Sequence, residues 1–144
     1  MRTVELIRTA SRSVAYNDDA KSKFHEQAEV VLHRLAKLLG YKADDYDLRH
    51  NEGGIAVSGE ITLHSDTLYV QFFQSAIGSS HGFMWRTCKG RKDYCGNRNQ
   101  WCKWEELRDL KTVADAMKAE VGYEAFRQGT GGIPIKVNLP FDPA

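Results

Sequence analysis

The sequence predicts an α+β fold: an antiparallel sheet of three to four strands packed against two main helices, in the order α-β-β-β-α-β. Three observations predict it. Between Ala20 and Leu39 apolar residues recur at spacings of three and four; between Ile55 and Phe73 they recur every second position; from Leu107 to Val121 the helical spacing returns.

The first helix carries Phe24, Ala28, Val31, Leu32, Leu35 and Leu39 on one stripe. Asn17, Asp18 and Asp19 are candidate N-caps and Gly40 is the natural stop. Residues 1–16 repeat a weaker helical pattern (Val4, Leu6, Ile7), either a short helix or a loose N-terminal arm. A polar connector with a short strand at Tyr46–Arg49 leads into the period-two region. There Ile55, Val57, Gly59, Ile61 and Leu63 alternate with Ala56, Ser58, Glu60, Thr62 and His64. Ser65-Asp66 is a turn, and Leu68, Val70 and Phe72 begin the return strand. That strand has large side chains on both faces, which predicts a central position covered on both sides. Phe83–Cys88 reads as a third strand and Lys89–Gln100 as a long loop. Asp109 and Thr112 are candidate caps of the second helix, and Gly122 its candidate end. His25 and His33 fall on the first helix and are expected at the surface. The tail from 128 is extended, with Ile133, Ile135, Val137 and Leu139 as an edge strand that tolerates Pro134.

With 144 residues, 42% of them hydrophobic and 27% charged, the chain fits a single domain, 1–144, with a packed core. No apolar run approaches a membrane span, and the N-terminus lacks the continuous apolar stretch of a secretory signal. The expectation is a cytoplasmic protein, with no membrane partner. The three cysteines, Cys88, Cys95 and Cys102, are an odd number and argue against a disulfide framework.

The chemistry-bearing residues concentrate between Phe83 and Trp104. Arg86, Lys89, Arg91, Lys92, Arg98 and Lys103 face a single acid, Asp93, a local charge of +5 in a chain whose total is +1. All three tryptophans, Trp85, Trp101 and Trp104, stand here with Tyr94. Arginine with flat rings suits a protein-interface hot spot. It also suits a single-stranded nucleic acid, with Asn97, Asn99 and Gln100 facing base edges. The candidate binding residues are Arg86, Lys89, Arg91, Lys92, Tyr94, Arg98, Asn99, Trp101 and Lys103. The competing structural reading, the largest single alternative, is that the tryptophans pin the loop to the core and its charges are merely solvated.

Catalytic and metal chemistry find less support. The C-x6-C-x6-C spacing lacks the tight knuckle of a zinc module, and a fourth ligand would have to be His81. The bland reading packs the cysteines as small apolar residues, with Cys95 the exposed one. Restriction-type nucleases need a carboxylate near one strand and an acid-x-lysine on the next, and TLYVQFFQS supplies neither. Glu60 and His64 share a strand face but lie roughly 13 Å apart. A small enzyme pairing His81 with a cysteine remains as a third function class, without a local signature. No catalytic residue, cofactor or metal is assigned.

Two resemblances bear on the reading. The α-β-β-β-α order resembles a double-stranded RNA-binding domain, whose second helix opens on a lysine cluster. Here only Lys111 precedes TVADAM, and Glu105, Glu106 and Asp109 lie just before it. Separately, Gly90-Arg91-Lys92-Asp93-Tyr94, Gly96, Arg98-Asn99 and Trp101, preceded by GGIAVSGEITLHSDTLYVQ (53–71), resemble small uncharacterised proteins of tailed bacteriophages over roughly residues 44–104. That resemblance implies a phage or prophage setting and a bacterial host cytoplasm. It further implies a protein that binds host machinery, in host takeover or in blocking defence. The partner it implies is a host protein, with nucleic acid the alternative.

Overall fold

The computed structural model describes residues 2–10, 18–51, 59–74 and 82–129. Among these, the order is α1 (Arg2–Ala10), α2 (Asp18–Leu38), β1 (Tyr46–Asn51), β2 (Glu60–Ser65), β3 (Leu68–Phe73), β4 (Phe83–Thr87), β5 (Gln100–Cys102) and α3 (Leu110–Gly129), with 3-10 turns at Ala43–Asp45 and Trp104–Asp109. The α+β class is as the sequence predicts. The expected strand residues 55–58 and 133–139, and His81, lie outside the described residues.

α2 forms because its apolar stripe has somewhere to go. Phe24, Ala28, Val31, Leu32 and Leu35 are fully buried. Each large one among them contributes about 1.5–3 kcal/mol of apolar transfer. Gly40, at φ 84°, ends the helix as expected: the Tyr41 amide donates back to the Ala36 carbonyl at 2.9 Å, a turn that favours glycine. The N-terminal segment is a helix, and its Leu6 and Ile7 are buried. α1 packs against α2 and against the 3-10 turn at Trp104–Asp109.

The five strands pair as an antiparallel meander in sequence order, β1-β2-β3-β4-β5. Only Asp66 and Thr67 separate β2 from β3, and the Ser65 hydroxyl accepts from the amides of Thr67 (3.2 Å) and Leu68 (3.0 Å). That side-chain bond fixes the turn and hence the register. β3 is the middle strand, as its two-sided bulk predicts, but only one side is fully covered: Leu68, Val70 and Phe72 are buried, whereas Tyr69 and Gln71 are half-buried and Phe73 is exposed. Ile61, Leu63, Val70, Phe72, Phe83 and Trp85 point to the helices and are buried. Residues that pair across an antiparallel ladder share a face. The register therefore builds two rows on the opposite face: Asp47–His64–Tyr69–Arg86, and Arg49–Thr62–Gln71–Met84–Trp101.

Three expectations are corrected. The loop after β4 ends in a fifth strand, β5, where Cys102 pairs with Phe83; three residues are too few to display a period. Gly122 does not end α3, which runs on to Gly129. A helical glycine costs only about 1 kcal/mol against alanine, and the next turn is supported by Arg127, which pairs with Glu124 at 2.9 Å and lies over the Tyr123 ring. His25 is buried rather than at the surface, its Nδ1 2.9 Å from Nδ1 of His50. His50 and His33 both meet Glu29, and His33 bonds the Tyr46 hydroxyl at 2.6 Å. The histidines thus tie α2 to β1.

Candidate interaction surface on the 83–104 segment

The loop between β4 and β5 is ordered by its own polar groups. Asp93, the one acid of the basic window, accepts from the amides of Gly96 (2.8 Å), Lys89 (2.9 Å) and Cys95 (3.2 Å). The Gly96 and Lys89 amides hold its carboxyl below the usual range. Gly96 has φ 59°, and a Cβ there would lie 2.7 Å from the Thr87 carbonyl, so only glycine fits. Asn97 is fastened to Thr87 twice, amide to carbonyl at 2.9 Å and Nδ2 to hydroxyl at 2.6 Å.

Arg86 clamps this loop to the sheet. It is buried, its guanidinium lies 4.0 Å from the Tyr69 ring centroid, and it donates to Asn99 Oδ1 (3.0 Å) and the Tyr94 carbonyl (2.6 Å). Arg91 fastens the other end, meeting Asp47 at 3.5 Å and Asp66 at 3.3 Å and donating to the Asp44 carbonyl. Between them sits His64, fully buried. A guanidinium can only donate, so Nδ1 of His64 accepts from Arg49 at 2.9 Å and Nε2–H donates to the Gly90 carbonyl at 3.0 Å. The Tyr94 ring packs edge-on against His64 at 5.4 Å. The loop is thus fastened by Arg86, His64 and Thr87. Two of the tryptophans, Trp85 and Trp104, belong to the core instead.

The nine sequence-predicted binding residues therefore divide. Arg86 is buried and Arg91 half-buried, and both are engaged in the loop's own fastening. Lys89, Lys92, Tyr94, Arg98, Asn99, Trp101 and Lys103 are exposed, and among the aromatics Trp101 and Tyr94 are 63% and 58% exposed. Sequence reasoning missed Asp47, Arg49 and Tyr69, which hold the loop from other strands, and Asp66, which holds it from the β2–β3 turn. Only the shared face of alternate strand residues hinted at the first three.

Burial pushes the Cys88 thiol up, and burial with the nearby Glu106 pushes Cys102 up to about 11. Both remain protonated at neutral pH, which suits packing rather than metal ligation or nucleophilic attack. Cys95 is the exposed one. Among the described residues, no group of three or more His, Cys, Asp or Glu is placed to hold a metal ion. No helix there is long and apolar enough to cross a membrane.

His64 gives the clasp a pH dependence. Burial, followed by the Arg49 charge, lowers its pKa below the ordinary 6.5, although the Gly90 bond opposes them. A histidine neutral in the folded state contributes its full stability above the unfolded pKa of about 6.5. Stability is lost as pH falls below that value, because the unfolded chain takes the proton first, and the loss levels off below the folded pKa. The urea midpoint should therefore drop between pH 7.5 and 5 by more in the wild type than in His64→Gln. Equal drops would assign the acid sensitivity elsewhere.

Fold and surface together define the class: a small α+β protein with a meander sheet and an ordered basic and aromatic loop laid across the sheet face opposite the helices. No family model matches the chain, and no curated protein or solved structure matches it.

Proposed function

We propose that the chain is a binding protein of tailed-phage type that contacts a host protein through the 83–104 segment. Its role would lie in host takeover or in inhibiting host defence. The observation that supports it is the exposure of Trp101 and Tyr94 on a fastened frame. Large rings held rigidly at a surface lose little entropy on binding, and tryptophan, tyrosine and arginine dominate hot spots. Lys89, Lys92, Arg98 and Lys103 supply charge around them. The phage setting and the host partner rest on the resemblance over residues 44–104.

Protein is favoured over nucleic acid as the partner because two of the six basic residues, Arg86 and Arg91, are already held by groups of the chain itself. The test is recovery of partners from bacterial lysate by immobilised wild type and by an Arg98→Glu/Trp101→Ala variant, both changes being at exposed positions. The wild type should retain a protein that the variant loses. The expected deficit is about 2 kcal/mol or more, roughly thirty-fold. Equal recovery by both would overturn the proposal. A complex with DNA or RNA whose affinity falls steeply with salt would replace the protein partner with a nucleic acid.

A further inference from the structure

β5 is the last strand of the sheet, and among the described residues nothing pairs with its outer edge. An unpaired edge presents a row of backbone donors and acceptors that a second chain can extend. Beside this edge runs α3. Three adjoining cavities of about 470, 410 and 390 Å³ lie between the helix and the sheet, and neighbouring ones share Trp85 and Gln100, then Thr87 and Asn97. Together they form one groove, walled on the helix side from Thr112 to Ala125. At 1.5 Å per helical residue that wall is about 20 Å long. It would hold about six residues of extended chain.

The groove changes character along its length. At the β5 end its lining includes Trp85, Cys102, Val113 and Ala116, an apolar stretch rimmed by Glu105, Glu106 and Asp109. Further along α3, Glu120 and Glu124 stand opposite Arg98. Two of the three arginines in these walls are already matched, Arg108 with Glu105 at 2.6 Å and Arg127 with Glu124 at 2.9 Å. The charges left over are Glu106, Asp109 and Glu120 against Arg98 and Lys89, a balance that is acidic and whose excess falls at the β5 end.

We infer that this groove receives an extended segment of a partner protein, about six residues long, which adds to the sheet as a strand beside β5. Its alternate side chains are apolar and enter the stretch between Trp85 and Ala116. It carries at least one lysine or arginine to meet Glu106, Asp109 or Glu120. The inference rests on the reading that the 83–104 segment contacts a protein, and it gives that contact a form.

The full chain is panned against a displayed library of nine-residue peptides. Enriched peptides should alternate apolar residues and include a basic one. Ala116 is exposed on α3, so Ala116→Arg fills the groove without touching the core; it should weaken peptide binding at least ten-fold while leaving the thermal midpoint unchanged. Bound peptide should slow amide hydrogen exchange at Gln100–Cys102. The inference is overturned if no peptide is enriched, if Ala116→Arg binds equally, or if β5 exchange is unchanged. A photo-crosslinker placed at position 116 that joins to the chain's own tail or to a second copy would also overturn it. In the lysate recovery, loss of the partner with Arg98→Glu/Trp101→Ala but not with Ala116→Arg would remove the groove and leave the binding function standing. No loss with either variant would remove both.

Discussion

Replacing Trp104 with alanine should destabilise the protein by about 3–5 kcal/mol, enough to unfold a marginal domain at room temperature. The indole is 1% exposed and meets Phe72 edge-on at 5.5 Å and Phe24 at 6.3 Å. It therefore joins α2, the middle of the sheet and the 3-10 turn that precedes α3. The space behind it is already closed: a Cβ added at Gly82 would lie 2.4 Å from the ring. Neighbours this rigid relax little into a cavity, which places the cost at the upper end of the range. Trp104→Phe refills part of the volume and should recover more than half of the loss. Urea denaturation of the three proteins measures this. A loss below 1 kcal/mol in the alanine variant would show that the turn is not part of the cooperative core.

The second large effect falls on Arg86. Arg86→Ala removes both charge-assisted bonds, to Asn99 Oδ1 and the Tyr94 carbonyl, together with the packing on the Tyr69 ring, at a cost of about 2–4 kcal/mol. Its signature is local as well as global. Hydrogen exchange should accelerate across 88–99 while the α2 amides keep most of their protection. Arg86→Lys should not rescue it, because an ammonium cannot lie flat on the Tyr69 ring and reach both acceptors in a planar fork. Uniform acceleration in all elements would mean that Arg86 supports the whole sheet rather than the loop.

Much of this fold was legible in the sequence because its long elements carry strong periods. The α2 stripe, the β2–β3 alternation and the run from Leu107 to Val121 each fill one buried face. Three features were not legible, each for a physical reason. β5 is too short to show alternation, and its pairing with β4 depends on the route of the intervening loop. The extension of α3 past Gly122 depends on side-chain pairs worth a few tenths of a kilocalorie, below what a glycine signal outweighs by eye. The burial of His25 depends on His50, a residue from another element.

The candidate surface was legible in composition and not in direction. The basic and aromatic cluster at 83–104 stands out in any window. Which of its side chains face outward is decided by Asp47, His64, Asp66 and Tyr69, all far away in sequence. Arg86 illustrates this: its pairing with Tyr69 across β3–β4 turns what looks like a ligand-binding charge into a bracket.

The meander has a consequence for how the chain reaches its native state. Every pairing in the sheet joins strands adjacent in sequence, so contact order within the sheet is low, and it can assemble by successive hairpins with little loop-closure entropy. The docking of α1 on the 3-10 turn at Trp104–Asp109 is the opposite case, joining residues about a hundred positions apart. That contact closes a loop of about a hundred residues. On these grounds α1 should dock late, onto a sheet already formed, and substitutions at Leu6 should speed unfolding far more than they slow folding.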